Sequence, residues 1–334
     1  MSDYKNIKLD RDLYVGKGFS YNLEQLDPSE NYKGTSLEGL DAFERQLKRF
    51  DIRISGKNSD TIDKFFSSSQ TAVLFPEFIV RTIANGLDNS DTISAISAVR
   101  TKIDGLDYRS ITSSMEDTSV TTYHISEGGS IPEVNITLSN DLVTLHKYAR
   151  MFVASYEALR FQKIGVFSIA LRQIGDYIAY QQMGNAVDIL LGGSDGNDEC
   201  ESFELSSAIT YSDLINLWSS FGQYNMTTIL VNPSVLPQFL NMTEFRDAAA
   251  GLNFHATGKL ITPFGAQIIK TKQLPEDVII ALDKNAALET VQSGDITVDT
   301  DKLIDRQLER VAVSCMCGFN RITKDAVKSV ILSN

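Results

Sequence analysis

The chain has 334 residues, 43% of them hydrophobic, and a net charge of −12. That is enough apolar side chain for one large core or two to three packed modules, while the acidic balance excludes a protein that grips nucleic acid by neutralising many phosphates. No apolar run is long enough to cross a bilayer, the opening MSDYKNIKLDRDLY lacks the apolar centre of a secretory signal, and Cys200, Cys315 and Cys317 are too few for a disulfide scaffold, so a soluble product folding in a reducing cytoplasm is expected.

Residues 1–66 carry 23 of the 74 charged side chains, and a boundary is expected near residues 66–70. The first 35 residues mix Gly, Asn, Asp and Tyr without periodicity and read as an arm that finds its contacts on other elements or other subunits. Ser36 is placed to cap a helix over 37–50, with Leu40, Phe43, Leu47 and Phe50 as its apolar stripe, and a second short helix is expected at 59–66. Phe75-Pro76-Glu77-Phe78 restarts the order and leads into a helix ending near Asn85-Gly86. Residues 93–103 read as extended and half-buried.

Two extended halves, 119–126 and 134–139, then flank a tip written Glu127-Gly128-Gly129-Ser130-Ile131-Pro132. Gly128 and Gly129 permit positive φ, and Pro132 fixes its own φ and restrains Ile131, so the tip is a turn and the halves pair as a ribbon. After an extended run over 142–154, Ile164, Phe167, Leu171, Ile174, Ile178, Ala186, Val187 and Leu190 recur at three- and four-residue steps, which predicts one long helix over 162–191 that stops at Gly192-Gly193. The link Gly192-Gly193-Ser194-Asp195-Gly196-Asn197-Asp198 is turn-rich. Beyond it helices alternate with strands: a helix at 212–221, a strand at 227–231, short helices around Pro237 and at 243–249, a hairpin of 257–261 and 266–271 about Pro263-Phe264-Gly265, and a strand at 278–282. Residues 307–319 read as a long strand in the sheet of the long helix's module.

Little of this carries catalytic chemistry. Cys315 and Cys317 share a face of their strand and could, with His255 or His124, approach a metal, but a second ligand pair is missing and apolar filling is the preferred reading. The acidic run Asp195, Asp198, Glu199, Glu201 lacks the ligand spacing of a calcium loop, and Asp295, Asp299 and Asp301 read as hydrated. Three histidines, with His146 in the extended run, leave little acid–base material near neutrality. There is no Gly-x-Ser-x-Gly elbow, phosphate loop or dinucleotide fingerprint, and Gly16-x-Gly18 carries no weight. No catalytic residue, metal or cofactor is expected.

The order of elements resembles the major capsid protein of tailed bacteriophages, the Hong Kong 97-type fold, over residues 75–332. The resemblance is carried by Ser126-Glu127-Gly128-Gly129-Ser130-Ile131-Pro132-Glu133, by Ile136-Thr137-Leu138 leading to the long helix, and by Leu191-Gly192-Gly193-Ser194-Asp195-Gly196. Ile229-Leu230-Val231-Asn232-Pro233 and Pro263-Phe264-Gly265 add to it. It implies an α+β fold with an N-terminal arm and short helices (1–70) and a peripheral domain (71–105 and 141–205) whose spine helix spans 162–191. An extended β-ribbon loop (106–140), an axial α/β domain (206–297) and strands returning to the peripheral domain (298–334) complete it. The implied function is a shell protein that assembles with itself, as pentamers and hexamers, into an icosahedral head around double-stranded DNA without reading its sequence. The head would form in the host bacterial cytoplasm, with no membrane role and with room for portal, scaffolding or decoration partners. The loop tip, Glu127, Gly128, Gly129, Ile131 and Pro132, would touch a neighbouring subunit. Some relatives weld this loop through a lysine, but none occurs between Lys102 and Lys147, so a non-covalent clamp is expected. The alternatives are an encapsulin-type compartment shell or, in another class, a soluble metal-dependent enzyme using Cys315, Cys317 and a histidine.

Overall fold

The computed structural model describes residues 5, 7–14, 18–90, 92–114, 127, 135–138, 142–194, 196–246 and 260–333. Helices α1 (Phe19–Leu26), α2 (Ala42–Arg49), α3 (Ser69–Ala72) and α4 (Leu74–Asn89) come first. Strands β1 (Ser97–Ile103), β2 (Ile111–Ser114), β3 (Asn135–Leu138) and β4 (His146–Ser155) follow, then α5 (Tyr156–Phe161) and α6 (Ile164–Gly192). Next are β5 (Glu201–Leu205), α7 (Tyr211–Ser219), β6 (Thr228–Val231), α8 (Leu236–Asn241) and α9 (Thr243–Arg246). Strands β7 (Gln267–Lys270), β8 (Val278–Leu282), β9 (Leu288–Leu303), β10 (Leu308–Arg321) and β11 (Val327–Leu332) close the chain. Among the described residues the strands form sheets ordered β1-β9-β10-β4, β5-β11-β8-β6-β7 and β2-β3. The chain divides into two compact units, one of Met1–Ser90, Ala149–Ile178 and Ile296–Cys315, the other of Asp91–Tyr148, Ala179–Asp295 and Met316–Asn334.

In the first unit the described residues of the N-terminal segment find their contacts on other elements of the same copy, the first of the two alternatives that the sequence leaves open. Arg45 is fully buried; its Nε–H donates to Asp27 Oδ2 at 3.0 Å, its Nη1 to Ser29 Oγ at 2.9 Å, and its guanidinium lies 4.4 Å from the Tyr32 ring centre. Arg49 Nη1 donates to Ile7 O at 2.9 Å, while Tyr14 Oη donates to Val73 O at 2.7 Å and accepts from the Glu77 amide. Burial first, and then the Glu77 charge, push the Tyr14 hydroxyl up and hold it neutral. The Arg49 and Tyr14 contacts join residues 42 to 63 positions apart, which no local periodicity can announce.

Helix α2 starts five residues later than Ser36 suggests. Gly39 takes φ +83°, outside helical geometry, and Asp41 then closes a capping box, accepting from Glu44 N–H at 2.8 Å while Glu44 accepts from Asp41 N–H at 3.1 Å. The short helix expected at 59–66 is a 3₁₀ helix, Ile62–Phe66. Helix α4 tolerates Pro76 in its first turn and runs through Gly86 to Asn89. Gly86 is not a stop but a contact: a Cβ there would lie 2.4 Å from Arg172 O, and one on Gly175 would lie 2.4 Å from Ile83 O. The two glycines let α4 and α6 approach backbone to backbone.

Helix α6 matches the expected element, and its 29 residues span about 43 Å at ~1.5 Å each. In the first unit Ile164, Phe167, Leu171 and Ile178 are buried, with Phe167 against Phe75 and Phe152 at 6.1 and 5.3 Å between ring centres. In the second, Met183, Ala186, Val187 and Leu190 share a core with Ile280, Leu282, Leu288 and Phe319. The helix ends where the glycines foretell: Gly193, at φ +74°, donates to Ile189 O at 2.9 Å.

The central strands β11, β8 and β6 of the five-stranded sheet are buried on both faces, as the unbroken apolar runs of β6 and β8 require. Leu230 and Ile280 face the α6 core, whereas Ile229, Val231, Ile279 and Ala281 face Leu214 and Leu217 of α7 and Phe239 of α8. Strand β7 pairs in parallel with β6. The hairpin about Pro263-Phe264-Gly265 reduces to a turn and an Ile261–Gln267 bridge, and 257–259 lie outside the described residues. Strand β11 lies between β5 and β8, so the last strand joins the sheet of β6, β7 and β8, whereas the sequence reading sent 298–334 with the long helix.

Candidate inter-subunit surfaces

The ribbon forms in the second unit, where β2 pairs antiparallel with β3 in the register Ile111↔Leu138 to Ser114↔Asn135. The second half falls where the sequence placed it; the paired part of the first lies upstream of 119–126, which is outside the described residues. Of the proposed tip, Glu127 is an exposed turn residue, and Gly128, Gly129, Ile131 and Pro132 are outside the described residues.

The root of the ribbon is more constrained than its sequence suggests. Strand β1 pairs in parallel with β9, and Ser97 and Thr290 share a hydroxyl–hydroxyl bond at 2.6 Å. Beside them Glu289, only 6% exposed, accepts from three hydroxyls: Thr101 and Tyr108 at 2.7 Å on Oε1 and Ser110 on Oε2. A buried carboxylate is tolerable when charge-assisted hydrogen bonds saturate it. Burial first, and then the bond to Glu289, push the Tyr108 hydroxyl up and keep it a donor. The returning leg is held by Val143 N–H on Tyr108 O at 2.9 Å. Thr144 O packs so near Gly318 that a Cβ there would lie 2.5 Å from it. Sequence reasoning passed over Glu289; its one signal is a lone carboxylate inside Leu288-Glu289-Thr290-Val291.

In the first unit several large apolar side chains face outward. On α6 these are Val166, Ile169 and Tyr177, the last with the Arg150 guanidinium 3.5 Å from its ring centre; on β4, an edge strand of its sheet, they are Met151 and Val153. Exposed apolar residues of this kind are ordinary on a folded subunit; because Arg150 and Phe152 face α6, Met151 and Val153 lie on the opposite face of β4, whose outer edge is unpaired among the described strands.

The residues weighed for metal chemistry lie elsewhere. Cys315 and Cys317 occupy the buried face of β10 with Val311 and Val313, His146 is exposed at the start of β4, and His124 and His255 are outside the described residues. Asp295, Asp299 and Asp301 are exposed along β9. Among the described residues no three His, Cys, Asp or Glu side chains gather as around a metal ion, and no helix is long and apolar enough to cross a membrane.

Residues 139–327 match the family described as phage capsid protein. No curated protein matches in sequence. Among solved structures, the chain is similar to that of a virus-like particle from Pyrococcus furiosus, with a TM-score of 0.53 at 15% identity over 76% of this chain and 98% of that one. It is also similar to the capsid of a native GTA particle (0.53, 13%, 73% and 91%) and to a chain of Gordonia phage Cozz (0.51, 11%, 73% and 87%).

Proposed function

The chain belongs to the phage capsid protein family, and on that premise we propose that its copies gather in fives and sixes into a head that encloses double-stranded DNA. It is a major capsid protein with the Hong Kong 97-type α+β fold, a structural subunit of an icosahedral shell.

The ribbon carries the assembly reading. Two strands alone are marginal in water, and both outer edges of such a ribbon invite pairing. Here the pair is nevertheless rooted by a saturated buried carboxylate, which supports a role for the loop against a neighbouring copy, its tip contacts made by Glu127, Gly128, Gly129, Ile131 and Pro132. The clamp is non-covalent, because no lysine lies between Lys102 and Lys147. Residues 71–105 and 141–205 serve as the peripheral domain, 106–140 as the extended loop and 206–297 as the axial domain; the pairing of β11 with β5 and β8 supports adding 327–332 to the last. A net charge of −12 suits a wall that encloses DNA without trapping it. Assembly takes place in the host cytoplasm, with portal, scaffolding or decoration proteins as further partners.

Replacing 111–138 with a short Gly-Ser link tests this. The purified variant should keep the far-ultraviolet spectrum and melting behaviour of a folded subunit and yield no closed particles by electron microscopy. Closed particles from the truncated chain would remove the inter-subunit role of the ribbon.

A further inference from the structure

Among the described residues two large apolar side chains stand further out than any other, Ile304 at 80% exposure and Phe161 at 78%, and both belong to the first unit. Ile304 begins the 3₁₀ turn Ile304–Arg306 that joins β9 to β10. Gln307 ends the turn in the left-handed region, at φ 52°, and donates its N–H to Ile304 O at 3.4 Å. Non-glycine residues seldom sit there, so the backbone is committed to a shape that projects an isoleucine with Arg306 beside it. The base of the turn is tied to α5 through Tyr156 N–H on Gln307 O at 3.0 Å.

Next to that tie is a pocket of about 590 Å³ walled by the aromatic rings of Phe66, Tyr156 and Phe161, with the carboxylates of Asp63, Glu157 and Glu309 around it. Arg160, the one basic residue in its lining, is engaged with Asp63 at 3.4 Å. The pocket is therefore aromatic inside and acidic in balance. The turn offers the complement: a branched aliphatic side chain to fill it and, two residues on, a guanidinium 73% exposed whose nearest acid is its neighbour Asp305 at 3.8 Å.

We propose that this face is a head-to-tail contact between two copies of the chain, in which the Ile304–Arg306 turn of one copy enters the Phe66/Tyr156/Phe161 pocket of the next and Arg306 meets Glu157 and Asp63. Knob and pocket are both present once in every copy, so each copy can give one and take one, and the contact closes into a ring where its rotation allows. Ile304 and Phe161 then bury each other's neighbours, and Glu157 gains a cation. The inference rests on the reading that copies of the chain assemble with one another.

Two differently tagged forms, one carrying Ile304→Cys and the other Glu157→Cys, would be co-expressed and the particles mildly oxidised. A disulfide joining the two tags is expected, absent when either form is present alone; the native thiols Cys200, Cys315 and Cys317 are buried and supply little background. Separately, Ile304→Asp, a surface change, should lower the yield of closed particles at least tenfold while the unassembled subunit melts as wild type does. Co-expressed cysteine variants whose particles give no mixed-tag disulfide, with an undiminished yield from Ile304→Asp, overturn the contact and leave the shell reading in place. A wild-type chain that stays monomeric at all concentrations overturns both.

Discussion

Exchanging Glu289 for glutamine keeps the volume of the side chain and removes its charge, so it isolates what the carboxylate does at the ribbon's root. Thr101 and Tyr108 both donate to Oε1 at 2.7 Å, and an amide oxygen with two lone pairs can keep both bonds, now neutral ones. Ser110 donates to Oε2, the position an amide nitrogen would take, so its hydroxyl must turn and accept instead. Hydrogen bonds to charged groups are worth about 1.5–3 kcal/mol and neutral ones about 1, so three conversions cost about 1.5–6 kcal/mol before the lighter desolvation of an amide is credited. A net loss of about 1–3 kcal/mol in local stability is expected, equivalent to roughly 5- to 150-fold faster opening. Amide hydrogen exchange reads this directly, because it reports sub-global opening as well as global unfolding: in Glu289→Gln, protection should fall by that factor over β1 and residues 288–293 and stay unchanged in α7 and β6. Tyr108→Phe removes a single bond and should show the smaller end of the same effect. Protection in Glu289→Gln within twofold of wild type across β1 would mean that the three hydroxyls do not hold the root, and the argument for a fixed ribbon would fail with it.

Gly175→Ala would place a Cβ 2.4 Å from Ile83 O and 2.6 Å from Leu87 N. Both are backbone atoms, so α4 and α6 must separate. Overpacking costs of about 1–3 kcal/mol exceed the ~1 kcal/mol of helix propensity that alanine brings, and the denaturation midpoint should fall; an equal or higher midpoint refutes the close approach. At the turn after α6, the hydrogen bond from Lys324 and the charge of Arg321 hold the Asp198 carboxyl below its usual range. A depressed folded-state value contributes stability above the ordinary carboxylate range and loses it as pH falls through the folded value. Exchange at 193–200 should therefore accelerate below about pH 4, with Asp198→Asn already fast at pH 7; a wild-type profile with no such step contradicts the clamp.

The elements legible in the sequence are those whose causes are local. Helix α6 announces itself by apolar residues at three- and four-residue steps and by Gly192-Gly193, and β6 and β8 by short apolar runs between turns, because a strand buried on both faces has no polar alternation to show. Gly86 misled because a glycine in a helix reads as an end, and only the path of α6 reveals it as a place where another backbone passes. Ser36 misled because Gly39, three residues on, adopts a conformation that forbids the helix, and Asp41-Ala42-Phe43-Glu44 supplies a complete capping box instead. Glu289 was illegible for a different reason. Its partners lie about 180 residues away, and a carboxylate in a strand shows nothing of the hydroxyls that will saturate it.

The N-terminal segment is where this distinction bears on function. An aperiodic, charged stretch reads as an arm that finds its contacts on other elements or other subunits, and several of its charges are met within the same unit. Arg81 pairs with Glu77 and Asp41 and donates to Ser20, which itself donates to Glu77, so one residue pair on α4 gathers α1 and the cap of α2. Arg45 and Asp27 are both about 1% exposed. Breaking such a buried pair from one side costs about 3–5 kcal/mol, and the residues around it cover Phe19, Leu23, Phe43 and Leu47 as well. Residues 18–66 therefore leave the first unit only by unfolding part of it, which makes them a poor candidate for a strap thrown across a shell. On the proposed assembly, the work of joining copies falls to parts that one copy does not consume: the ribbon with its fixed root and the Ile304 turn beside its pocket. On that proposal non-covalent surfaces hold neighbours together, which would account for apolar side chains such as Ile304 and Phe161 standing outward on a subunit this acidic.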